Sequence, residues 1–144
     1  DELETIPFPG ATPIKCAGEV LGGCGSPNPE YRHRMITTWF TPWDMTIRAT
    51  WRYFSSVDND QCATEGCPEV QPFIDREIER VQYLDLNVDY QWSENLSLSI
   101  GANNINGHDI PVATSAGPPL GNGNTFPSTY DTGTFFFASA TWRQ

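Results

Sequence analysis

Asp85 and Asp89 are the residues whose type and spacing first suggest chemistry, because a pair of carboxylates can divide general acid and general base work. They lie four apart in Tyr83-Leu84-Asp85-Leu86-Asn87-Val88-Asp89. On an extended strand this separates them by roughly 13 Å at about 3.3 Å per residue, beyond the roughly 5–10 Å of a glycosidase pair. His33 and His108 stand in or beside loops with no partner at an orienting spacing, which reads as solvated histidine. No G-x-S-x-G, H-E-x-x-H or phosphate loop occurs. The run Gly121-Asn122-Gly123-Asn124 is a turn former. These residues point away from an enzyme, and no cofactor is implied.

The four cysteines form two close pairs. Cys16 and Cys24 enclose Ala-Gly-Glu-Val-Leu-Gly-Gly, and Cys62 and Cys67 enclose Ala-Thr-Glu-Gly. Four cysteines allow three pairings. Local bridges 16–24 and 62–67 need no assumption about the fold and are the expected ones. The rival is a zinc site built from all four thiolates, but neither spacing is C-x2-C and no histidine lies near. Oxidised pairs place the chain outside the cytoplasm.

The elements that must position these residues are strands. In 83–92, Leu84, Leu86, Val88, Tyr90 and Trp92 alternate with Asp85, Asn87, Asp89 and Gln91. In 96–103, Leu96, Leu98, Ile100 and Ala102 alternate with Ser97, Ser99, Gly101 and Asn103. Period two is the strand signature. Ser93, Glu94 and Asn95 make the hairpin turn. A third strand, about 45–54, sets Met45, Ile47, Ala49, Trp51 and Tyr53 against Thr46, Arg48, Thr50 and Arg52. A fourth, about 32–40, alternates weakly: Met35, Thr37 and Trp39 compete with Ile36, Thr38 and Phe40 for the apolar face. The last, about 135–142, sets Phe136, Ala138, Ala140 and Trp142 against Ser139 and Thr141. Residues 1–31, 55–79 and 105–133 read as long loops, and 74–81 as a helical turn or the start of the next strand.

Such strands are long for a soluble sheet, where about five or six residues is usual, and suit a bilayer crossing of about 9–11. On that reading Leu84, Leu86, Val88, Leu96, Leu98 and Ile100 face lipid. Arg48, Arg52, Asp85, Asn87 and Asp89 face a wet lumen, where the arginines can pair with Asp85 and Asp89, and Tyr90 and Trp92 sit at an aromatic girdle. Short turns at 41–44 and 93–95 alternate with the three long loops, the asymmetry of outer-membrane barrels. It directs the C-terminus to the periplasm and the long loops outside.

Composition agrees. The chain has 144 residues, enough for one domain, and is 38% hydrophobic. A mean hydropathy of -0.42 is lean for a packed core but fits a barrel whose every second strand residue meets lipid. No run of about 18 apolar residues offers a transmembrane helix. The formal charge of -10 argues against nucleic acid as a partner. The chain starts at Asp1 with no signal peptide, as expected of a mature or cut piece. A second reading is a secreted β-sandwich that binds carbohydrate, with two local disulfides and with Trp39, Trp43 and Trp51 as stacking platforms.

From residue 101 onward, Gly101-Ala102-Asn103-Asn104-Ile105, Asp109-Ile110-Pro111, Gly121-Asn122-Gly123-Asn124-Thr125-Phe126-Pro127, Tyr130-Asp131 and Phe135-Phe136-Phe137 occur in order. Together they resemble the C-terminal end of TonB-dependent outer-membrane receptors. Upstream, Cys16-Ala17-Gly18, Cys24-Gly25, Pro29-Glu30-Tyr31-Arg32-His33, Thr41-Pro42-Trp43-Asp44 and Thr50-Trp51-Arg52-Tyr53 look like a branch of the same family. The resemblance implies an all-β fold: the last five antiparallel transmembrane strands of a 22-stranded barrel, an open curved sheet when alone. Residues 1–144 would then be the C-terminal part of the barrel domain, with the plug domain absent. It also implies uptake of a scarce substrate, an iron-siderophore, cobalamin or a sugar. The implied partners are the rest of the barrel and its plug, the lipid bilayer and lipopolysaccharide, that small-molecule substrate, and periplasmic TonB through the missing N-terminal part. Three places depart from the family pattern. Gln144 stands where an aromatic residue is usual, Asn103-Asn104-Ile105-Asn106-Gly107 replaces Asn-Asn-Leu-Phe-Asp, and Gly133-Thr134 replaces Gly-Arg. The first bears on recognition by the barrel-assembly machinery, the others on local loop contacts.

Overall fold

The structure, a computed structural model, describes residues 3–6, 8–20, 24–59, 77–112 and 125–143. Every regular element among them is a strand: β1 (Glu4–Thr5), β2 (Ile14–Lys15), β3 (Glu19–Val20), β4 (Arg32–Phe40), β5 (Met45–Phe54), β6 (Val57–Asn59), β7 (Glu77–Ile78), β8 (Val81–Gln91), β9 (Leu96–Asn103) and β10 (Phe135–Trp142). The five long strands form one sheet in the order β10-β9-β8-β5-β4. The sheet is open, with β10 and β4 as its edges, as expected for a barrel segment taken alone.

Turn chemistry fixes this meander. At 41–44, Thr41 N and Thr41 Oγ1 both donate to Met45 O, each at 2.9 Å. Asp44 takes φ 56°, a left-handed conformation that Asp tolerates better than most residues. Its carbonyl accepts from Gln91 N at 3.0 Å, which ties the β4–β5 hairpin to β8. At 93–95, Trp92 N donates to Leu96 O at 3.0 Å and Leu96 N to Ser93 Oγ at 3.1 Å.

The register keeps the two sets of side chains apart. Leu86 lies opposite Ala102, Val88 opposite Ile100 and Tyr90 opposite Leu98. Phe136, Ala138, Ala140 and Trp142 lie opposite Ala102, Ile100, Leu98 and Leu96. On the other face Asn87, Asp89 and Gln91 meet Gly101, Ser99 and Ser97 across β8 and β9. Phe135, Phe137, Ser139 and Thr141 meet Asn103, Gly101, Ser99 and Ser97 across β9 and β10. The ambiguous face of β4 is settled by His33, whose ring meets Trp51 edge-on at 4.7 Å and stacks on Tyr53 at 5.3 Å. His33, Met35, Thr37 and Trp39 therefore share the apolar face with Trp51 and Tyr53.

Two compact units divide the chain. One (His33–Tyr53, Gln82–Asp109, Gly133–Gln144) holds the five-stranded sheet; the other gathers Asp1–Arg32, Phe54–Val81 and Ile110–Thr132, almost the three stretches expected to be loops. That second unit corrects the loop expectation. Within it β1 pairs with β2, and β3 pairs in parallel with β6, which pairs with β7. Cys16, Val20, Val57, Ile78, Phe126 and Tyr130 are buried, and Phe54 meets Tyr130 edge-on at 5.8 Å. Strands of two or three residues carry too few positions to show a period, which is why the sequence hides them. Of the two readings of 74–81, a helical turn or the start of the next strand, the described residues bear out the strand: Glu77–Ile78 is β7, and β8 begins at Val81. Residues 74–76 lie outside the described residues.

Gly101 marks the tightest point of the sheet. A Cβ there would strike the Phe137 ring and come within 2.7 Å of Leu86 O. Phe137 covers its cross-strand glycine, a device that restores the packing a glycine forfeits. Gly101→Ala should therefore destabilise the intact protein by about 1–3 kcal/mol, the usual cost of overpacking. The urea midpoint in detergent reads this. An unchanged midpoint would mean that the close approach relaxes without strain.

Candidate functional site

The polar face of the sheet carries a clasp centred on Asp85. Arg52 projects from β5 and donates to it twice, from Nε to Oδ2 at 2.9 Å and from Nη2 to Oδ1 at 2.8 Å. Asn104 N adds a third donor to Oδ1 at 2.9 Å. The ion pair is largely shielded, with the Arg52 and Asp85 side chains 22% and 17% exposed. Behind it the Arg52 guanidinium lies 5.0 Å from the centroid of the buried Tyr83 ring. A planar guanidinium suits this double duty, forking onto a carboxylate while stacking on an aromatic ring.

Past β9 the chain turns through Asn104, which takes φ 53° and is wholly buried. Its side chain is spent on the loop: Nδ2 donates to His108 O at 2.8 Å, and Oδ1 accepts from His108 N at 3.0 Å. Its carbonyl accepts from Thr134 Oγ1 at 2.7 Å. The His108 ring stands edge-on to Tyr83 at 6.1 Å. Both histidines are thus half-buried in aromatic contacts, which corrects the expectation of solvated side chains. Sequence spacing could not show this, because their ring partners lie on other elements or at distant positions.

The remaining polar residues form a trough toward the short turns. Asp44, Thr46, Asp89, Gln91, Ser97, Ser99, Ser139 and Thr141 line a space of about 410 Å³. Asn87 bridges its upper edge, donating to Asp89 Oδ2 at 2.8 Å and accepting from Ser99 Oγ at 3.1 Å. Of the two arginines expected to meet these aspartates, Arg52 does. Arg48 is exposed and forms no ion pair among the described residues. Asp85 is held by three donors, two from Arg52 and one from Asn104, which fixes its place on the sheet. No group of three or more His, Cys, Asp or Glu able to hold a metal occurs among the described residues.

Away from the sheet, Cys16 and Cys24 are joined, with Cα atoms 5.4 Å apart. The bridge is the local one expected, and it removes two of the four thiolates the zinc alternative required. Cys62 and Cys67 lie outside the described residues.

On the opposite face exposure runs against hydrophobicity. Leu84 is 38% exposed, Ile100 59% and Phe136 75%. Aromatic residues mark both ends of this face. Trp39, Trp43, Tyr90, Trp92 and Trp142 gather by the short turns, with Tyr90 and Trp92 edge-on at 6.0 Å. His33, Trp51 and Tyr53 form the cluster at the other end. From Trp39 to His33 the chain runs about 20 Å along β4 at about 3.3 Å per residue. A carbohydrate-binding sandwich would bury the apolar face of its sheet, and this face is open.

No protein-family model matches the chain, and no curated protein does. Solved structures do. A mutant of the ferric enterobactin receptor PfeA of Pseudomonas aeruginosa, in complex with enterobactin, superposes with TM-score 0.57 at 22% identity. A second PfeA mutant superposes with TM-score 0.55 at 21% identity. Both comparisons cover 79% of this chain and 16% of the receptor chain. The chain thus has the fold of a stretch of such a receptor's β-structure, and spans about a sixth of the length of those proteins.

The clasp makes the two aspartates unequal. Asp85 holds three donors, two of them from an arginine, whereas Asp89 is seen to accept from one neutral amide. Asp85→Ala should lower the stability of the intact protein by about 1.5–3 kcal/mol, the range for hydrogen bonds to charged groups. Asp89→Ala, which loses one such hydrogen bond in place of three, should cost no more than about 1.5 kcal/mol, the bottom of that range. Urea titrations of the two variants in one detergent compare them directly. Equal losses would remove Asp85 from its central place.

Proposed function

We propose that this chain is part of the wall of an outer-membrane TonB-dependent receptor that takes up a scarce substrate, an iron-siderophore before cobalamin or a sugar. The observation that carries the reading is the inverted sheet: one face presents exposed leucine, isoleucine and phenylalanine, and the other carries a largely shielded ion pair and, nearer the short turns, a trough lined with hydroxyl, amide and carboxylate groups. In water that arrangement is unfavourable. In a bilayer it follows from physics, because hydrocarbon accepts the aliphatic face while the lumen keeps the charged one wet. Leu84, Leu86, Val88, Leu96, Leu98 and Ile100 meet lipid on this reading; Arg48, Arg52, Asp85, Asn87 and Asp89 line the lumen. The two aromatic clusters suit the edges of an apolar band about 25 Å tall.

The short turns at 41–44 and 93–95 then lie on the periplasmic side with the C-terminus. The long segments 1–31, 55–79 and 105–133, with both cysteine pairs, lie outside. Edge strands β4 and β10 await neighbours, since an unpaired edge cannot face hydrocarbon. The rest of the barrel supplies those neighbours, the N-terminal plug part supplies the TonB contact, and the two together supply most of the substrate site. The siderophore preference rests on the fold likeness to a receptor crystallised with enterobactin. The barrel wall itself contributes no catalytic group.

The sharpest test exchanges neighbours in one strand. Arginine at the midplane of a lipid face costs about 2–4 kcal/mol, whereas a lumen side chain keeps its water. In the intact protein, carried by cells that need it to grow on a ferric siderophore, Leu86→Arg should lose both the heat-modifiable folded band and growth. Asn87→Arg, flanked by Asp85 and Asp89 on its own face, should keep both. Equal loss in the two variants would sink the membrane assignment. A wild-type protein that folds but supports no growth on any ferric siderophore would move the substrate to cobalamin or a sugar.

A further inference from the structure

Asn106 carries a chemistry that neither the sheet nor the receptor reading uses. Gly107 follows it. In such a pair the backbone amide attacks the side-chain amide readily, because glycine has no side chain to obstruct the approach. Both residues are exposed, so water reaches them. The fold nevertheless occupies both reactants. Asn106 Oδ1 accepts from Leu84 N at 2.9 Å and its Nδ2 donates to Gln82 O at 2.9 Å. The planar amide thereby imitates a peptide unit and adds a rung to β8 where β9 has ended. Gly107 N, the nucleophile, is turned toward Asn104 O at 3.0 Å.

We propose that Asn106 is a deamidation site that the fold holds shut, so that its modification records the time a chain has spent with this turn open. In the reaction Gly107 N bonds to Asn106 Cγ and gives up its proton to water. The Cγ–Nδ2 bond breaks and the nitrogen leaves as ammonia. Water then opens the succinimide ring to aspartate or isoaspartate, with no change in oxidation state. Neither product rebuilds the rung. An ionised carboxylate only accepts, so it can keep Leu84 N but sets an acceptor against the Gln82 carbonyl, itself an acceptor. Isoaspartate adds a main-chain carbon and displaces Gly107 from Asn104 O. A chain that ages unfolded is thus altered at a contact on which its hairpin ends.

The intact wild-type protein tests this, folded in detergent micelles at mildly alkaline pH beside the same protein in urea. Peptide mapping by mass spectrometry reads amide-to-acid conversion at Asn106. In urea Asn122, which precedes Gly123, serves as an internal clock because it is the same dipeptide, and the two sites should convert at similar rates. In micelles Asn106 should convert about tenfold more slowly or less, since the two side-chain hydrogen bonds and the one at Gly107 must open first. Equal rates at Asn106 in micelles and in urea would overturn the proposal.

Discussion

Register is the constraint on which the rest of the structure depends. With a side-chain period of two, a slip of one residue in β8 would carry Asp85, Asn87 and Asp89 to the face now held by Leu84, Leu86 and Val88. In most sheets a buried hydrophobic core forbids such a slip. Here the apolar face is the exposed one, and the polar face adds a hold of its own on the register. Asp85 does much of this, because its donors come from Arg52 on β5 and from Asn104 at the end of β9. One carboxylate therefore fixes β8 against both neighbours. Removing it would take from the guanidinium beside Tyr83 the carboxylate onto which it forks, and breaking one side of a shielded pair is costly.

The clasp and the turn beyond it solve a related problem. A hairpin must end, and the backbone groups of the longer strand then lose their partners. Side-chain amides take over here: Asn106 continues the ladder on β8, and Asn104 closes the 104–108 loop onto itself. Asn suits both places, since it carries donor and acceptor in one plane and tolerates the left-handed backbone seen at Asn104. The 103–107 stretch is thus locally self-sufficient, with the Asn106 amide standing where the Asn-Asn-Leu-Phe-Asp pattern would have phenylalanine.

The long strands and their faces were legible in the sequence because alternation persists for eight residues or more in three of the five. The pairing of Arg52 with Asp85 was legible because charge on a strand face needs an answer, although sequence alone did not separate Arg52 from Arg48. The Cys16–Cys24 bridge followed from spacing. Three things were not legible, each for a physical reason. Strands β1, β2, β3, β6 and β7 are shorter than any readable period. The face of β4 depends on His33 meeting Trp51 and Tyr53, a tertiary contact between residues that are individually ambiguous. The role of Gly101 is invisible because it consists of what is missing, a Cβ whose absence lets Phe137 and Leu86 O approach.

The central claim is that this sheet stands in a bilayer with its aliphatic face outward. A nitroxide scan tests it most directly. Single spin labels at Leu86, Asn87, Val88, Asp89, Ser99 and Ile100 of the intact protein would be compared in lipid vesicles for collision with oxygen, which concentrates in hydrocarbon, and with a water-soluble nickel complex. The account predicts strict alternation: oxygen contact dominates at Leu86, Val88 and Ile100, and nickel contact at Asn87, Asp89 and Ser99. Nickel contact at all six positions, or alternation of the opposite phase, would contradict it.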